Sequence, residues 1–517
     1  MQRVRASPVL VLVATSVAAF TATLDNTVVA VALRDMQGDL GSSVLGLQGI
    51  ITAYTVTLAA LLLAGGALLD VLGARRVLVI GTVLFAASSV LCARAGSVEA
   101  LVAWRGVQGV GAALLLPGGL AVLAQAYPDP VRRRRAVGVW AAVSGAALVA
   151  GPVVGGELVA RHGWPSVFWV NVPLCLLVLL LLAPAPPPLP GTSDGDARLD
   201  VPGAVLSCVV LGAASYGIVL LGRHGISWEP AGPLALAVVA TVVFVVVERR
   251  SSEPLLPRAL LADRRFRGAT LAAFAAALAV FVLMVFVSLF LQVVLDHDPR
   301  EAGTVLLALP LALVATAALT SRWHAVVVPV VGGLVLAGTG LLGLAAAVDL
   351  DVSDRTIACW LVLVGIGVGL TTGPVVATTL DSAGERRSGL ASASVTVARE
   401  LGGVVAVAGL GAIAVARLTS RLTDSLVGLG VPGAARQPLL DALLRADRPE
   451  VRKQLIDAVG VERTLGAYQR FQGTATASFA TSTRWVLGAA GVTLLVLAVA
   501  CAWLLGSDHR GEGVEEG

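Results

Sequence analysis

What most constrains this chain is the regular return of apolar stretches long enough to cross a lipid bilayer. They fall at roughly Pro8–Leu33, Leu47–Leu69, Val77–Ala93, Val98–Ala124, Ala136–Val159, Ser166–Ala183, Val201–Leu221 and Ala231–Val247, then at Gly268–Leu295, Ala302–Thr320, Ala325–Val348, Thr356–Thr378, Gly389–Ala416 and Trp485–Leu505. About 17 to 25 apolar residues carry a helix through a hydrocarbon core. Lipid offers the backbone no water to bond, so such stretches satisfy their own N–H and C=O groups by becoming helices. The sequence therefore predicts an all-α integral membrane protein with fourteen transmembrane helices, the tenth and eleventh parted only by the polar turn at Ser321–His324. Composition agrees. With 57% hydrophobic and 14% charged residues the chain is unlike a soluble domain, in which charge runs at about 25%.

Arginine placement sets the orientation. With the N-terminus inside, the inner loops take Arg75, Arg76, Arg132 to Arg135, Arg249, Arg250, Arg264, Arg265, Arg267, Arg386 and Arg387 among others, while the short outer loops keep Arg34, Arg94, Arg161, Arg223, Arg300 and Arg355. Between the inner loops and these short outer ones the bias is about threefold, and positive loops stay inside, so both termini are expected in the cytoplasm. The first apolar run reads as a span, because it is too long for a leader and has no small-residue cleavage site. Cys92, Cys175, Cys208, Cys359 and Cys501 all lie in apolar runs without paired spacing, which suggests neither disulfides nor a metal site.

Two stretches interrupt the short loops. Residues 185–200, APPPLPGTSDGDARLD, are polar and rich in Pro and Gly, and read as a cytoplasmic linker. Residues 417–484 are too long for an ordinary connection and read as an extracytoplasmic loop, with helix-like patches around Pro438–Leu443 and Arg452–Val459.

The chemistry centres on Asp25, a carboxylate inside the first span. An ionisable residue in lipid costs at least a few kcal/mol unless a cavity or a partner receives it. Helical rise places Asp25 roughly 25 Å above the inner face and Arg105, in the inward-running fourth span, roughly 10 Å below the outer face of a core about 30 Å thick. The two fall at similar depth. A buried guanidinium has no neutral form and needs an acceptor, so the pair is either a proton-sensitive site or a static brace between spans one and four. Gln108 lies three residues beyond Arg105 on the same helical face.

Other anomalies surround this pair. In span five, Ala147, Gly151 and Gly155 recur every fourth residue and Pro152 removes a backbone donor, which suits either tight packing or a flexible seam between half-bundles. The turn Gly66–Leu78 holds Asp70, Gly73, Arg75 and Arg76, and its acid is not what the inside rule asks for. Arg399 and Glu400 lie near the midplane of span thirteen, roughly 16 Å from the inner face, and point about 100° apart, so one or both should face a central cavity. Tyr54 in span two offers an aromatic surface there.

These residues together resemble the major facilitator superfamily, and within it the fourteen-span drug:proton antiporters of the EmrB/QacA type. The resemblance rests on Leu24-Asp25-Asn26-Thr27-Val28, on Gly66 to Arg76, on Arg105 with Gln108-Gly109, and on Gly151-Pro152 with Gly155-Gly156. Trp164, Phe168, Asn171 and Pro173 at span six and Arg399 to Gly403 in span thirteen match as well. It implies the major facilitator fold: two six-helix bundles plus two inserted helices. On that reading residues 1–184 form the first bundle, 201–248 the inserted pair, 249–267 a basic cytoplasmic loop, 268–506 the second bundle and 507–517 a tail.

The resemblance ties Asp25 and Arg105 to proton coupling. Asn26, Tyr54, Gln108, Arg399 and Glu400 become the expected wall of a substrate cavity, and Asp70, Gly73, Arg75, Arg76, Gly151, Pro152 and Gly155 the parts that gate it. Ala30 and Arg34 replace the asparagine and proline usual after the acid, the turn SRWH lacks a second copy of the Gly66–Arg76 pattern, and span ten has no acid.

The function expected is a proton-coupled efflux transporter exporting hydrophobic small molecules by alternating access, monomeric in the inner membrane and driven by the proton gradient without a cofactor. Alternatives are a dedicated exporter of one endogenous antibiotic, metabolite or lipid, or a transport-inactive sensor or scaffold. No phosphate loop, His cluster or nucleophile elbow is present, which argues against an enzyme, an ATP-driven pump or a nucleic-acid partner.

Overall fold

The computed structural model describes residues 7–40, 44–183, 200–224, 228–251, 258–297, 299–320, 326–383, 388–428, 431–436, 439 and 461–506. Every element among them is helical. The first half comprises α1 (Pro8–Leu40), α2 (Val44–Leu72), α3 (Ala74–Ala93), α4 (Val98–Ala126), α5 (Pro130–His162), the single turn α6 (Ser166–Trp169) and α7 (Asn171–Leu182). A hairpin of α8 (Val201–His224) and α9 (Trp228–Arg250) follows, then the short α10 (Arg258–Ala262). The second half has α11 (Arg264–Val282) continuing through a π turn into α12 (Ser288–Val293), α13 (Pro299–Leu306), α14 (Ala308–Thr320), α15 (Val327–Ala347) and α16 (Asp354–Ala383). It ends with α17 (Ser388–Val404), a second π turn at Val405–Gly409, α18 (Leu410–Gly428) and α19 (Val461–Leu505).

Each of the fourteen apolar stretches is helical over most of its described residues, and among the described residues ten helices are long and apolar enough to cross a membrane. Ser166–Leu182 and Glu301–Ala317 are shorter apolar helices. The other two stretches lie in α5, which buries Gly151 and Gly155, and in α17–α18, which bury Ser392, Ser394 and Thr396. The turn at Ser321–His324 and the patches at Pro438–Leu443 and Arg452–Val459 lie outside the described residues, Leu439 apart.

In the first half α1 packs on α4, α5 and α7, and α4 fills the space between α2 and α3. In the second, α15 packs on α16 and α19, and α11 on α17 and α19. The halves meet where α2 and α4 pack on α17 and where α5 packs on α13, α14 and α16. The α8–α9 hairpin lies against α2 on one side and α17–α18 on the other, with Val238, Val239, Val242 and Leu236 of α9 exposed. An apolar helix that buries so little against protein is solvated by lipid.

The stretch 417–484 is less of a loop than its composition suggests. α18 continues to Gly428 and α19 starts at Val461, so both ends of the stretch are helical extensions of the spans. No proline falls between Val461 and Leu505 to stop the last helix, which runs 45 residues.

Candidate functional site

Asp25 and Arg105 meet. Both side chains are wholly withdrawn from solvent, and Arg105 Nη1 donates to Asp25 Oδ2. The same nitrogen donates to Gln108 Oε1 at 2.6 Å, and Arg105 Nε donates to the Ile50 carbonyl of α2 at 3.2 Å. Gln108 Nε2 donates to Asp25 Oδ1 at 2.9 Å and to Ser89 Oγ of α3 at 2.8 Å. From the first turn of α7, Asn171 Nδ2 reaches Asp25 Oδ1 at 2.6 Å and Ser89 Oγ at 3.3 Å. Every group facing the carboxylate is thus a donor, an arrangement complementary to its ionised form.

Aromatic rings close the cluster. The Arg105 guanidinium lies 4.3 Å from the centroid of Tyr54 and 5.9 Å from that of Phe168. Tyr54 is fixed in turn by its hydroxyl, which donates to the Ala22 carbonyl at 3.2 Å. Two polar atoms of this cluster have no partner among the described residues: Arg105 Nη2 and Asn171 Oδ1. One is a spare donor and the other a spare acceptor, both buried beside the carboxylate.

The sequence placed Gln108 and Tyr54 on a substrate wall. The structure instead encloses both in the Asp25 cluster, at 0% and 1% exposure, because their polar atoms serve Asp25, Ser89 and a helix carbonyl. Asn26, the next residue along α1, is partly exposed. Asn171 and Ser89 were not singled out as site residues. An Asn at the head of a short apolar helix, matched to the family pattern, was the available signal; a Ser in an apolar helix gives none.

A second polar site comes from α17. Arg399 and Glu400 are both partly exposed at mid-helix and do not bond each other. The Arg399 guanidinium stacks over the Trp140 ring of α5, 5.4 Å from its centroid, and so spans the two halves. Glu400 has no hydrogen-bond or ion-pair partner among the described residues and lies within electrostatic reach of Tyr54. A π turn, a departure from the α-helix that recurs at functional sites, begins five residues beyond Glu400 at Val405.

Residues 15–407 match the sequence profile described as the Major Facilitator Superfamily. The chain belongs to the major facilitator superfamily. Relatives include the methylenomycin A resistance protein of Bacillus subtilis, 34% identical over 78% of this chain and 87% of that protein. Another is the multidrug resistance protein Stp of Mycobacterium tuberculosis, 29% identical over 85% of this chain and 82% of that one. Among solved structures, the human organic anion transporter MFSD10 superposes with a TM-score of 0.57 over 95% of this chain and 99% of its own, at 14% identity, which speaks to the fold. A multi-pass transporter fold of this superfamily is a carrier and not an enzyme.

The remaining candidates take their places on this major facilitator scaffold. Gly73 opens α3 with φ of 87°, a conformation that costs a side-chain-bearing residue energy and suits glycine. It turns the chain so that Arg75 Nη2 donates to the Leu182 carbonyl at the end of α7, 2.8 Å away. Arg76 is exposed, and the side chain of Asp70 lies outside the described ones. The Gly151–Gly155 strip presses α5 against α1 within the first half: a Cβ on Gly151 would collide with the Thr27 hydroxyl, and one on Gly155 would sit 3.3 Å from Val28 Cα. That strip borders Asp25's own helix and is not a seam between halves; the side chain of Pro152 is likewise outside the described ones.

The contacts between halves lie elsewhere on α5. Arg133 pairs with Asp381 of α16, and Gly138 lies so close to α14 that a Cβ would stand 2.9 Å from Ala317 Cβ. Sequence reasoning passed over this ion pair, since neither charge is unusual among basic and acidic inner loops.

Proposed function

We propose that this chain is a proton-driven exporter of hydrophobic small molecules, a drug efflux transporter of the cytoplasmic membrane with both termini inside. The observation that carries the reading is the buried Asp25 carboxylate with a spare donor, Arg105 Nη2, and a spare acceptor, Asn171 Oδ1, beside it. The names of the relatives, one for resistance to a single antibiotic and one for multidrug resistance, support export of such compounds.

Ionised, Asp25 is held by Arg105, Gln108 and Asn171. Protonated, it becomes a donor that needs an acceptor, and the Asn171 amide supplies one by turning its oxygen inward. Releasing Arg105 from Asp25 frees α4 from α1, and the protonation state thereby biases the equilibrium between inward-facing and outward-facing arrangements. Outward drug movement is exchanged for inward proton flow. Arg399, Glu400 and Asn26, the partly exposed polar groups, contact the substrate, whose apolar bulk rests on aliphatic side chains around them. No cofactor takes part, and the transporter acts as a monomer.

The test is accumulation of a panel of dyes and antibiotics in cells expressing the protein, with and without a protonophore. Expression should lower accumulation, and collapse of the gradient should restore it. Efflux indifferent to the protonophore would overturn proton coupling. A second reading, a dedicated exporter of one antibiotic, is favoured by the name of the 34% identical relative; a response confined to one compound of the panel would select it.

A further inference from the structure

The middle turns of α18 and α19 form a cleft that the transport reading does not use. Arg417, Ser420 and Arg421 of α18 face Thr481, Ser482 and Trp485 of α19 around a cavity of about 140 Å³. Arg417 stacks on the Trp485 ring, 4.1 Å from its centroid. Arg417 and Arg421 are one helical turn apart, and neither takes a hydrogen bond or an ion pair among the described residues. Like charges at that spacing repel, so the pair is set for an anion. Ser482 adds a second observation: it is 5% exposed, lines the cavity, and its hydroxyl has no partner among the described residues. Asp424, three residues past Arg421, lines a wider adjoining opening of about 750 Å³ and pairs with neither arginine.

The membrane level of this cleft is marked on α19. Trp485, Val492, Val496, Val499 and Trp503 are exposed at 53%, 54%, 62%, 71% and 64%, one stripe along one helix face. The two tryptophans are separated by about 27 Å of helical rise, close to the thickness of a hydrocarbon core of about 30 Å. Tryptophans sit at the headgroup level at both faces of a bilayer. The cleft around Trp485 is therefore at one headgroup layer, directly above a lipid-facing apolar stripe. Arg417 already covers one face of the indole, so a choline-type ammonium on this ring would stand beside a guanidinium of like charge.

We propose that this cleft binds the phosphate of an anionic glycerophospholipid, with Arg417, Arg421 and the Ser482 hydroxyl on the phosphate oxygens and the acyl chains along the Val492–Val499 stripe. By the orientation proposed above, the lipid belongs to the outer leaflet. Planar guanidinium pairs suit phosphate oxygens in number and geometry.

The full chain purified in detergent is titrated by native mass spectrometry with phosphatidylglycerol, with phosphatidylcholine of the same chains, and with soluble glycerol phosphate. Phosphatidylglycerol should bind at least about tenfold more tightly than phosphatidylcholine, because both offer the phosphate but choline adds an ammonium that the two arginines repel. R417Q/R421Q should bring it to the phosphatidylcholine level, and S482F, which fills the cavity without touching charge, should do the same. R264Q, which removes the arginine stacked on Trp503 at the opposite membrane face, should leave the preference intact. No preference for phosphatidylglycerol, or a preference that survives S482F, overturns the proposal. Glycerol phosphate binding as tightly as the lipid also overturns it, marking a free-anion site. Should R417Q/R421Q not fold, S482F decides alone.

Discussion

Asn171 donates from Nδ2 to Asp25 Oδ1 at 2.6 Å, tying the first turn of α7 to the middle of α1. Its own oxygen is buried without a partner. An amide carries both a donor and an acceptor, so this one residue can serve a carboxylate or a carboxylic acid. The Asp25–Arg105 pair alone has no such neutral alternative, which makes Asn171 the group on which the proposed switching would depend.

N171L removes the donor and the spare acceptor at similar volume. Transport driven by a pH gradient in proteoliposomes should fall about tenfold or more, about 1.4 kcal/mol in the rate-limiting step. Exchange of substrate in the absence of a gradient should fall less. Equal losses in both assays would assign Asn171 to packing and not to coupling.

Breaking the buried ion pair from either side should destabilise the protein. D25N leaves Arg105 uncompensated and R105Q leaves Asp25 so, each at about 3–5 kcal/mol, while D25N/R105Q should recover most of that loss. Thermal unfolding in detergent reads the cycle. The double variant should be stable yet inactive in gradient-driven efflux; additive destabilisation would mean the two charges do not support each other.

The halves touch closely at Gly138 and Ala317. G138V forces two methyl groups into a space where even one Cβ is tight, and overpacking of this kind costs about 1–3 kcal/mol. Gradient-driven transport should fall, and A317G added to G138V should restore part of it. A cysteine placed on the inner half of α5 should label faster in G138V than in the double variant. Failure of the second substitution to rescue would place the strain elsewhere than at this contact.

Much of this was legible from the chain, for a physical reason. Hydropathy announces a span because lipid tolerates little else, and a charge within one is an anomaly that depth arithmetic can match to another. Asp25 and Arg105 were found that way. Arg133 and Asp381 were not, because a charge beside water is no anomaly and the two are far apart in sequence. Gln108 and Tyr54 were recognised, but periodicity gives the face of a helix and not the neighbour that covers it. The Gly151–Gly155 strip shows the same limit: small residues announce a close approach, while the partner, α1 and not the other half, is decided by tertiary packing.

A pH dependence should arise from His297, in the connection after α12. Its Nε2 lies 3.0 Å from both carboxylate oxygens of Asp354 at the head of α16, and its Nδ1 lies 3.1 Å from the Leu295 carbonyl. The Asp354 hydrogen bond raises the imidazole above its ordinary value, partial burial opposes this, and Glu301 adds a weaker pull upward. A raised value means that the folded state binds the proton more tightly than the unfolded one. The stabilisation is therefore fully present below the ordinary histidine value of about 6.5 and is lost as pH rises through the folded-state value. Wild type should exceed H297Q in unfolding temperature by more at about pH 5.5 than at about pH 8.5, by a small margin because the pair is partly solvated. D354N should abolish that pH dependence without affecting gradient-driven efflux at a fixed pH. An advantage that grows with rising pH would place the proton in the unfolded state and remove Asp354 as its cause.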